Sequence, residues 1–437
     1  MNKAFLTREE SLRLQAKAKK RKKKALNRGY SGKFSARKFN YPERLKSQFS
    51  SELKILFDKG FIDRQYKCDT VTVPEVFSFK DNFNQTVLFY KYYLSSFIYG
   101  KNFTVDFSKC KKTDNAAFSV FNLLSSELGA LEYKYNLGLY NKTNKDIRIK
   151  PSSNDGKTNK YLHAFDYHTL DDEFQDNSSY LPLNLIRGKR RNTYKENLKS
   201  AACSRIVRFV FESLLGAGQP QRANDIAIQN PLEGLVSEVL NNAEDHSPNG
   251  TEWFVNGIAF REIQYDTPIV EFNLSIINFG LSMYEGFEKT KELNREQYVT
   301  LERLFSLHKK QFTPFNTFSR EALFTLYMLN ETISRLKYAD ESRGHGTMNF
   351  IESFIKLGKF GDSNSNFTSV LNIVSGHTRL TCDNRRKPYK DGDLRKISLN
   401  SSNNIRELPD KNYLKTESEY FPGTILECKI YFERIIK

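Results

Sequence analysis

Apolar residues recur at a helical period between residues 232 and 243. Leu232, Leu235, Val236, Val239, Leu240 and Ala243 fall on one side of a helix. Asn230 suits its N-cap, Pro231 its first position and Glu233 the acid of a capping box, and Ser247-Pro248-Asn249-Gly250 reads as its stop. Further along, the period shortens to that of strands. Val270 to Gly280 predicts a strand entering a turn at Asn278-Phe279-Gly280. A helical period returns over Phe350 to Leu357, behind the glycine-bearing run Arg343-Gly344-His345-Gly346-Thr347. Val370 to His377 predicts a strand and turn, and Phe421 to Ile430 a turn and closing strand. Nearer the start, Val71 to Val73 and Phe103 to Phe107 predict short strands, and Gln85 to Phe97 and Ala116 to Leu128 predict helices. Residues 137–191 and 383–420 are polar, the first read as loop and linker and the second as an insertion without legible chemistry. The fold class expected is α/β in the α+β sense.

Length and charge divide this pattern. A chain of 437 residues has enough apolar content for two or three domains. Of the net charge of +17, the first 50 residues hold +13, densest at Lys19-Lys20-Arg21-Lys22-Lys23-Lys24. Tyr30, Phe34, Phe39 and Tyr41 follow among Arg28, Lys33, Arg37 and Lys38. This composition predicts a disordered arm that binds DNA or RNA phosphates and unstacked bases, with a solubilising tail or a targeting signal as the plainer reading. The domains expected are an arm over 1–50, an α/β module with a polar linker over 51–190, and a larger domain over 191–437. No apolar run is long enough to cross a bilayer, Met1 to Gln15 lacks the apolar centre of a signal peptide, and the five cysteines form no C-x-x-C pair. A cytoplasmic protein with no membrane partner is expected. His163 and His168 are five residues apart, which suits neither helix nor strand ligation, and read as ordinary packing or surface residues.

The candidate chemistry lies on the first helix. Glu238, Asn242 and His246 are spaced four apart and share one face beside the apolar stripe. A carboxylate, an amide and an imidazole in one row suit a metal–phosphate group and a polarised water. The E-x-x-x-N-A-x-x-H run resembles the N box of the GHKL ATPase superfamily, to which gyrases and sensor histidine kinases belong. Three later segments, in the family's order, resemble its other boxes. Asn278 and Gly280 stand where the family carries D-x-G-x-G, with Asn in place of Asp and Ser282 in place of the second glycine. An Asn carbonyl still accepts a hydrogen bond but carries no charge. Gly344, Gly346 and Thr347 resemble the phosphate-cradling glycine box, and Thr424 the late threonine at the adenine edge.

The resemblance covers Glu196 to Lys437 and implies a Bergerat-type sandwich, a mixed sheet with helices on one face, that binds ATP and Mg2+. Under it Asn242 ligates the metal and Glu238 acts as general base on water, while His246 tunes that acid or pairs with a phosphate. Asn278, Gly280 and Thr424 hold the adenine, and Gly344, Gly346 and Thr347 the phosphates, beneath a lid drawn from Glu285 to Ser342. Three functions compete. One is an ATPase gating a protein partner's or nucleic-acid-linked activity, as in a bacterial regulatory or anti-phage module. Another is a protein kinase of the anti-sigma or histidine-kinase type. The third is a non-catalytic nucleotide sensor or nucleic-acid-binding scaffold. A homo-oligomer is left open. The strand ending in Asp106-Phe107-Ser108, then Thr113-Asp114-Asn115 opening a helix, also faintly resembles a STAS domain, with Asn115 where that family has a phosphorylated serine.

Overall fold

The computed structural model describes residues 45–433 apart from 101–102, 139–146, 154–155, 166–178, 190–197, 216–225, 247–250, 265–266, 332, 334–345, 359–366, 384 and 387. The basic run Lys19 to Lys24 therefore lies outside the described residues. The last residues of the expected arm belong to the folded body instead. Leu45 and Phe49 are buried in its core, and Lys46 pairs with Asp58 at 2.7 Å. Residues 45–437 form one compact unit.

Its centre is a five-stranded sheet of β6 (Tyr180–Lys189), β7 (Glu252–Gln264), β8 (Thr267–Phe279), β12 (Leu414–Glu433) and β9 (Val370–Asp383), in the order β6-β7-β8-β12-β9. Every pairing in it is antiparallel. The expectation of a mixed sheet is corrected accordingly. Among the described residues parallel pairs occur only in the N-terminal module, where β1 (Thr70–Thr72), β3 (Phe103–Asp106) and β5 (Ile147–Lys150) form one small sheet, and β2 (Val76–Phe77) joins β4 (Lys112–Thr113) in another. The polar stretch read as linker contains β6, which forms one edge of the central sheet through its pairing with β7.

Both faces of this sheet are buried, because each strand supplies apolar side chains alternately to two cores. On one face Val255, Leu274, Ile276, Ile373 and Ile430 pack with helices α5 (Leu198–Leu215), α6 (Ile226–His246), α9 (Arg320–Tyr327) and α10 (Gly346–Gly358). On the other, Phe254, Ile258, Phe260, Ile277, Val374 and Ile425 pack with the N-terminal module, chiefly α2 (Phe83–Tyr99) and α3 (Asn115–Gly138). Helices on one face alone were expected. The second face is covered because the module's aromatics bury against it: Phe79 packs on Phe421 and Tyr161, itself stacked on Phe118, on Phe260. Between the strands and helices named so far lie α1 (Ser51–Asp58), α4 (Gly156–Ala164), α7 (Met283–Glu288) and α8 (Arg295–Lys309).

Helix α6 begins at Ile226, earlier than the capping residues suggest, so Pro231 sits inside it. Proline there removes one backbone donor. Packing of α6 against α5 and α10 carries the helix through regardless.

One polar row interrupts the module-facing core. Asn256, Ser275, Glu427 and Asn372 lie directly opposite one another across four strands. The first turn of α3 docks on that row. Glu427 accepts from the Ala116 N–H at 3.0 Å and from Asn372 Nδ2 at 3.0 Å. Asn115 Nδ2 donates to Ser275 Oγ at 2.7 Å, and Ser119 donates to Asn256 Oδ1 at 2.9 Å. Asp114 caps the same helix, accepting from the Ala117 N–H at 2.7 Å. Two ionised carboxylates buried this close would cost several kcal/mol each in lost hydration, against about 1–3 kcal/mol for a neutral group left short of one hydrogen bond. Burial, and then the neighbouring Asp114 charge, push the Glu427 carboxyl up to about 8, while burial also raises Asp114. A second tie lies further along the same face. Lys157 of α4 contacts Glu271 at 2.6 Å, and Lys429 contacts it at 3.2 Å. Burial alone would raise Glu271, but the two lysines outweigh it and hold the group at about 2.

The raised acid gives stability a definite pH dependence. Between its ordinary value of 4.5 and about 8, native Glu427 keeps a proton that the unfolded chain has released. Its contribution is full below that window and declines as pH rises through it. Glu427→Gln is expected to flatten the fall in melting temperature between about pH 5 and about pH 8.5, measured by thermal unfolding beside the parent. An unchanged slope would show that another group carries the proton.

Candidate functional site

The face of the sheet opposite the N-terminal module carries a second cross-strand row. Gly188 of β6 pairs with Trp253 of β7, Trp253 with Asn278 of β8, Asn278 with Thr424 of β12, and Thr424 with Ser375 of β9. Residues directly opposite in an antiparallel ladder point to the same side. Asn278 and Thr424, 146 positions apart in the chain, are therefore immediate neighbours. Asn278 is 6% exposed, and no hydrogen bond of its side chain falls among the described residues. Ser375 Oγ and Thr424 Oγ1 are 3.1 Å apart, and Ser375 also accepts from the Met283 N–H at 2.8 Å.

Two glycines shape this end of the row. Gly280 follows β8 with φ 147°, and its N–H donates to the Pro422 carbonyl at 3.2 Å. Gly423 lies opposite Phe279 with φ 134°, and a Cβ there would sit 2.0 Å from the Asn278 carbonyl oxygen. Only glycine allows that backbone approach. Ser282, standing where a second glycine was expected, is the N-cap of α7. It accepts from the Glu285 N–H while the Glu285 carboxylate accepts from the Ser282 N–H. The Ser282-x-x-Glu285 capping box was legible in the sequence and accounts for the departure.

The remaining candidate residues lie on two helices. Helix α6 ends at His246, six positions before β7 begins, and the second residue of β7 is Trp253. Helix α10 precedes β9, which begins at Val370 opposite Lys429. The two helices pack on each other, with the Gly234 Cβ position 3.5 Å from Ser353 Oγ.

Glu238 is half-buried on α6, one turn before Asn242 and two before His246. Nothing is described of the Asn242 and His246 side chains. Gly346 and Thr347 open α10, and Gly344 lies outside the described residues. Of the stretch expected to supply a lid, residues 285–331 are largely helical and packed: Leu301, Ala322, Leu323 and Phe324 belong to the core, and 334–345 lie outside the described residues. Within it the last described helix is α9, Arg320–Tyr327.

Arg395 had no sequence signal. It lies on β11 (Leu394–Lys396), which pairs with β10 (Tyr389–Asp391), within the insertion that seemed to carry no chemistry. Its guanidinium contacts Glu331, Asn349 at 2.8 Å and Glu352 at 2.9 Å, so it ties the first turns of α10 to the end of the preceding helical region. His163 accepts or donates at 2.5 Å to the Tyr180 hydroxyl, a packing role as read, and His168 lies outside the described residues. Arg187 of β6 pairs with buried Glu127. Among the described residues no group of His, Cys, Asp or Glu could hold a metal ion, and no helix is long and apolar enough to cross a membrane. Comparison with known proteins finds no family model, no curated protein and no solved structure that matches the chain.

The close backbone approach at Gly423 makes a direct prediction. Gly423→Ala must either distort the β8–β12 ladder or force a strained φ, at a cost of about 1–3 kcal/mol. Urea unfolding should show a lower midpoint for the variant, whereas an unchanged midpoint would mean that the approach relaxes freely.

Proposed function

We propose that the C-terminal part of the chain binds ATP with Mg2+ in a GHKL-type site, and that its nucleotide cycle gates another activity. The observation that supports this most is the register pairing of Asn278 with Thr424, beside Gly280 and Gly423. Helix α6, which carries the Glu238–Asn242–His246 stripe, ends six positions before β7, whose Trp253 pairs with Asn278, and α10, which the Gly346–Thr347 turn opens, packs on α6. In this reading Asn278 and Thr424 receive the base edge, and the glycines let backbone approach it. The N-terminus of α10, with Gly344, Gly346 and Thr347, favours phosphate through its free N–H groups and helix dipole. Asn242 offers a neutral oxygen ligand to the ion, Glu238 accepts the proton of an attacking water, and His246 tunes that acid or pairs with a phosphate. Bound Mg2+ would offset phosphate charge.

Isothermal titration of the full chain with ATP, with and without Mg2+, tests binding directly. Glu238→Ala should keep affinity and lose turnover by about a hundred- to ten-thousand-fold, while Asn242→Ala should weaken binding of the magnesium–nucleotide complex. Free phosphate, transfer of label to protein, or binding without either separates a hydrolase, a kinase and a sensor. No heat at millimolar ATP would overturn the reading.

The basic arm is proposed as a polyanion-binding segment, on its charge and interleaved aromatics. Deleting residues 1–44 stops short of core residue Leu45, so the body should fold unaltered. Affinity for DNA or RNA should then fall. On duplex DNA its salt dependence should flatten by about 0.9 for each phosphate that the arm had neutralised. Equal affinity after the deletion would move the binding face to the folded body.

A further inference from the structure

Strand β12 departs from regular pairing just before the candidate site. Its register with β9 shifts between Thr416 and Phe421, and again between Phe421 and Thr424. The segment Glu417–Tyr420 is therefore not placed by that ladder. Side chains of β9 and of the N-terminal module hold it: Arg379 donates to Glu417 at 3.0 Å and His377 Nδ1 lies 3.0 Å from the Glu419 carbonyl oxygen. Asn84 Oδ1 accepts from the Glu419 N–H at 2.9 Å, Asn84 Nδ2 donates to Glu417 at 3.1 Å, and Lys91 pairs with Glu419 at 2.6 Å.

Lys59, at the end of α1, adds a third hold from the module. Its ammonium meets Glu285 at 2.7 Å and lies 4.8 Å from the Tyr420 ring centre. The Tyr420 hydroxyl donates to the other Glu285 oxygen at 2.5 Å, which also accepts from the Ser282 N–H at 2.9 Å. One carboxylate thus joins three pieces of chain: the module through Lys59, the turn after Gly280 through Ser282, and the approach to Gly423 through Tyr420. Burial alone would raise Glu285, but the hydrogen bonds from Lys59, Tyr420 and Ser282 outweigh it and hold the group below its ordinary value. His377 closes the cluster from β9, its ring centre 5.2 Å from that of Tyr420 and its N–H donating to Glu321 at 2.8 Å.

We propose that the N-terminal module sets the geometry of the nucleotide site through this polar clamp of Lys59, Asn84 and Lys91 on Glu285 and Glu417–Tyr420, acting as positioning residues that never touch nucleotide. The proposal rests on the nucleotide reading above. Gly280 and Gly423 stand two and three residues from clamped positions Ser282 and Tyr420, so a displaced clamp moves the two backbones that flank Asn278 and Thr424. The groups are partly shielded, Lys91 at 15% and Glu419 at 22% side-chain exposure, which sets them apart from open surface pairs of little consequence. Coupling of binding to the clamp is reciprocal, so bound nucleotide must tighten what the clamp holds.

The test is ATP titration of the full chain, read by calorimetry and by the fluorescence of Trp253, the chain's one tryptophan. Lys59→Ala and Asn84→Ala should each weaken MgATP binding by about five- to tenfold, and Lys59→Arg should restore most of it. Lys46→Ala, which removes the exposed pair with Asp58 and a contact with the Phe57 ring, both outside the clamp, serves as the control and should bind as the parent does. In the parent, MgATP should slow hydrogen exchange at the Glu419 amide, a response that a merely structural contact would not give. If Lys59→Ala folds poorly, Tyr420→Phe, which removes only the hydroxyl, is expected to show the same loss. Parent binding with clamp variants equal to Lys46→Ala and no change in exchange would overturn the clamp while leaving the nucleotide reading standing. Absence of ATP binding by the parent would overturn both.

Discussion

A sheet with two buried faces is the constraint on which the molecule rests. Five antiparallel strands lie between a helical layer and an α/β module, so neighbouring residues on β7, β8 and β12 answer to different cores. Trp253 packs with the helices and Phe254 with the module, and the same alternation separates Ile276 from Ile277 and Leu426 from Ile425. A slip of one residue in any pairing would exchange the two sets. The module and one face of the sheet share a single core, which is why residues 45–437 behave as one compact unit.

Each face carries one polar row, and the two differ in kind. The row toward the module is closed: Asn256, Ser275, Glu427 and Asn372 bond to one another's neighbours and to the first turn of α3, and a retained proton removes the charge that burial would penalise. The row toward the helices, Trp253–Asn278–Thr424–Ser375, lies at the end of the sheet where β7 begins, six positions after α6 ends. Strand β12 serves both, with Thr424 in one row and Glu427 in the other. The module is thereby held against the strand that carries the candidate site at two places, Glu427 and the Glu417–Tyr420 segment.

Local signals in the sequence determined most of the elements. Alternation over Val270 to Gly280, helical periods over Gln85 to Phe97, Ala116 to Leu128 and Phe350 to Leu357, and the Glu238–Asn242–His246 spacing all follow from residues a few positions apart. They are legible because period and turn chemistry are local. The start of α6 was misjudged where Asn230 and Pro231 offered a local cap that helix packing overrode. Strand β6 carries its own apolar run, Leu181, Leu183, Leu185 and Ile186, but lies in a polar stretch that masked it, whereas the Arg395 hairpin is polar in sequence and ordered by partners far away.

Tertiary structure alone decided which residues meet. Asn278 faces Thr424, Lys59 reaches Glu285 and Ala116 meets Glu427 across separations of 146, 226 and 311 positions, set by strand register and by the docking of the module. No period or spacing encodes such pairs. They arise because burying both sheet faces allows one register and one placement of the module, and that placement brings distant side chains within hydrogen-bond range.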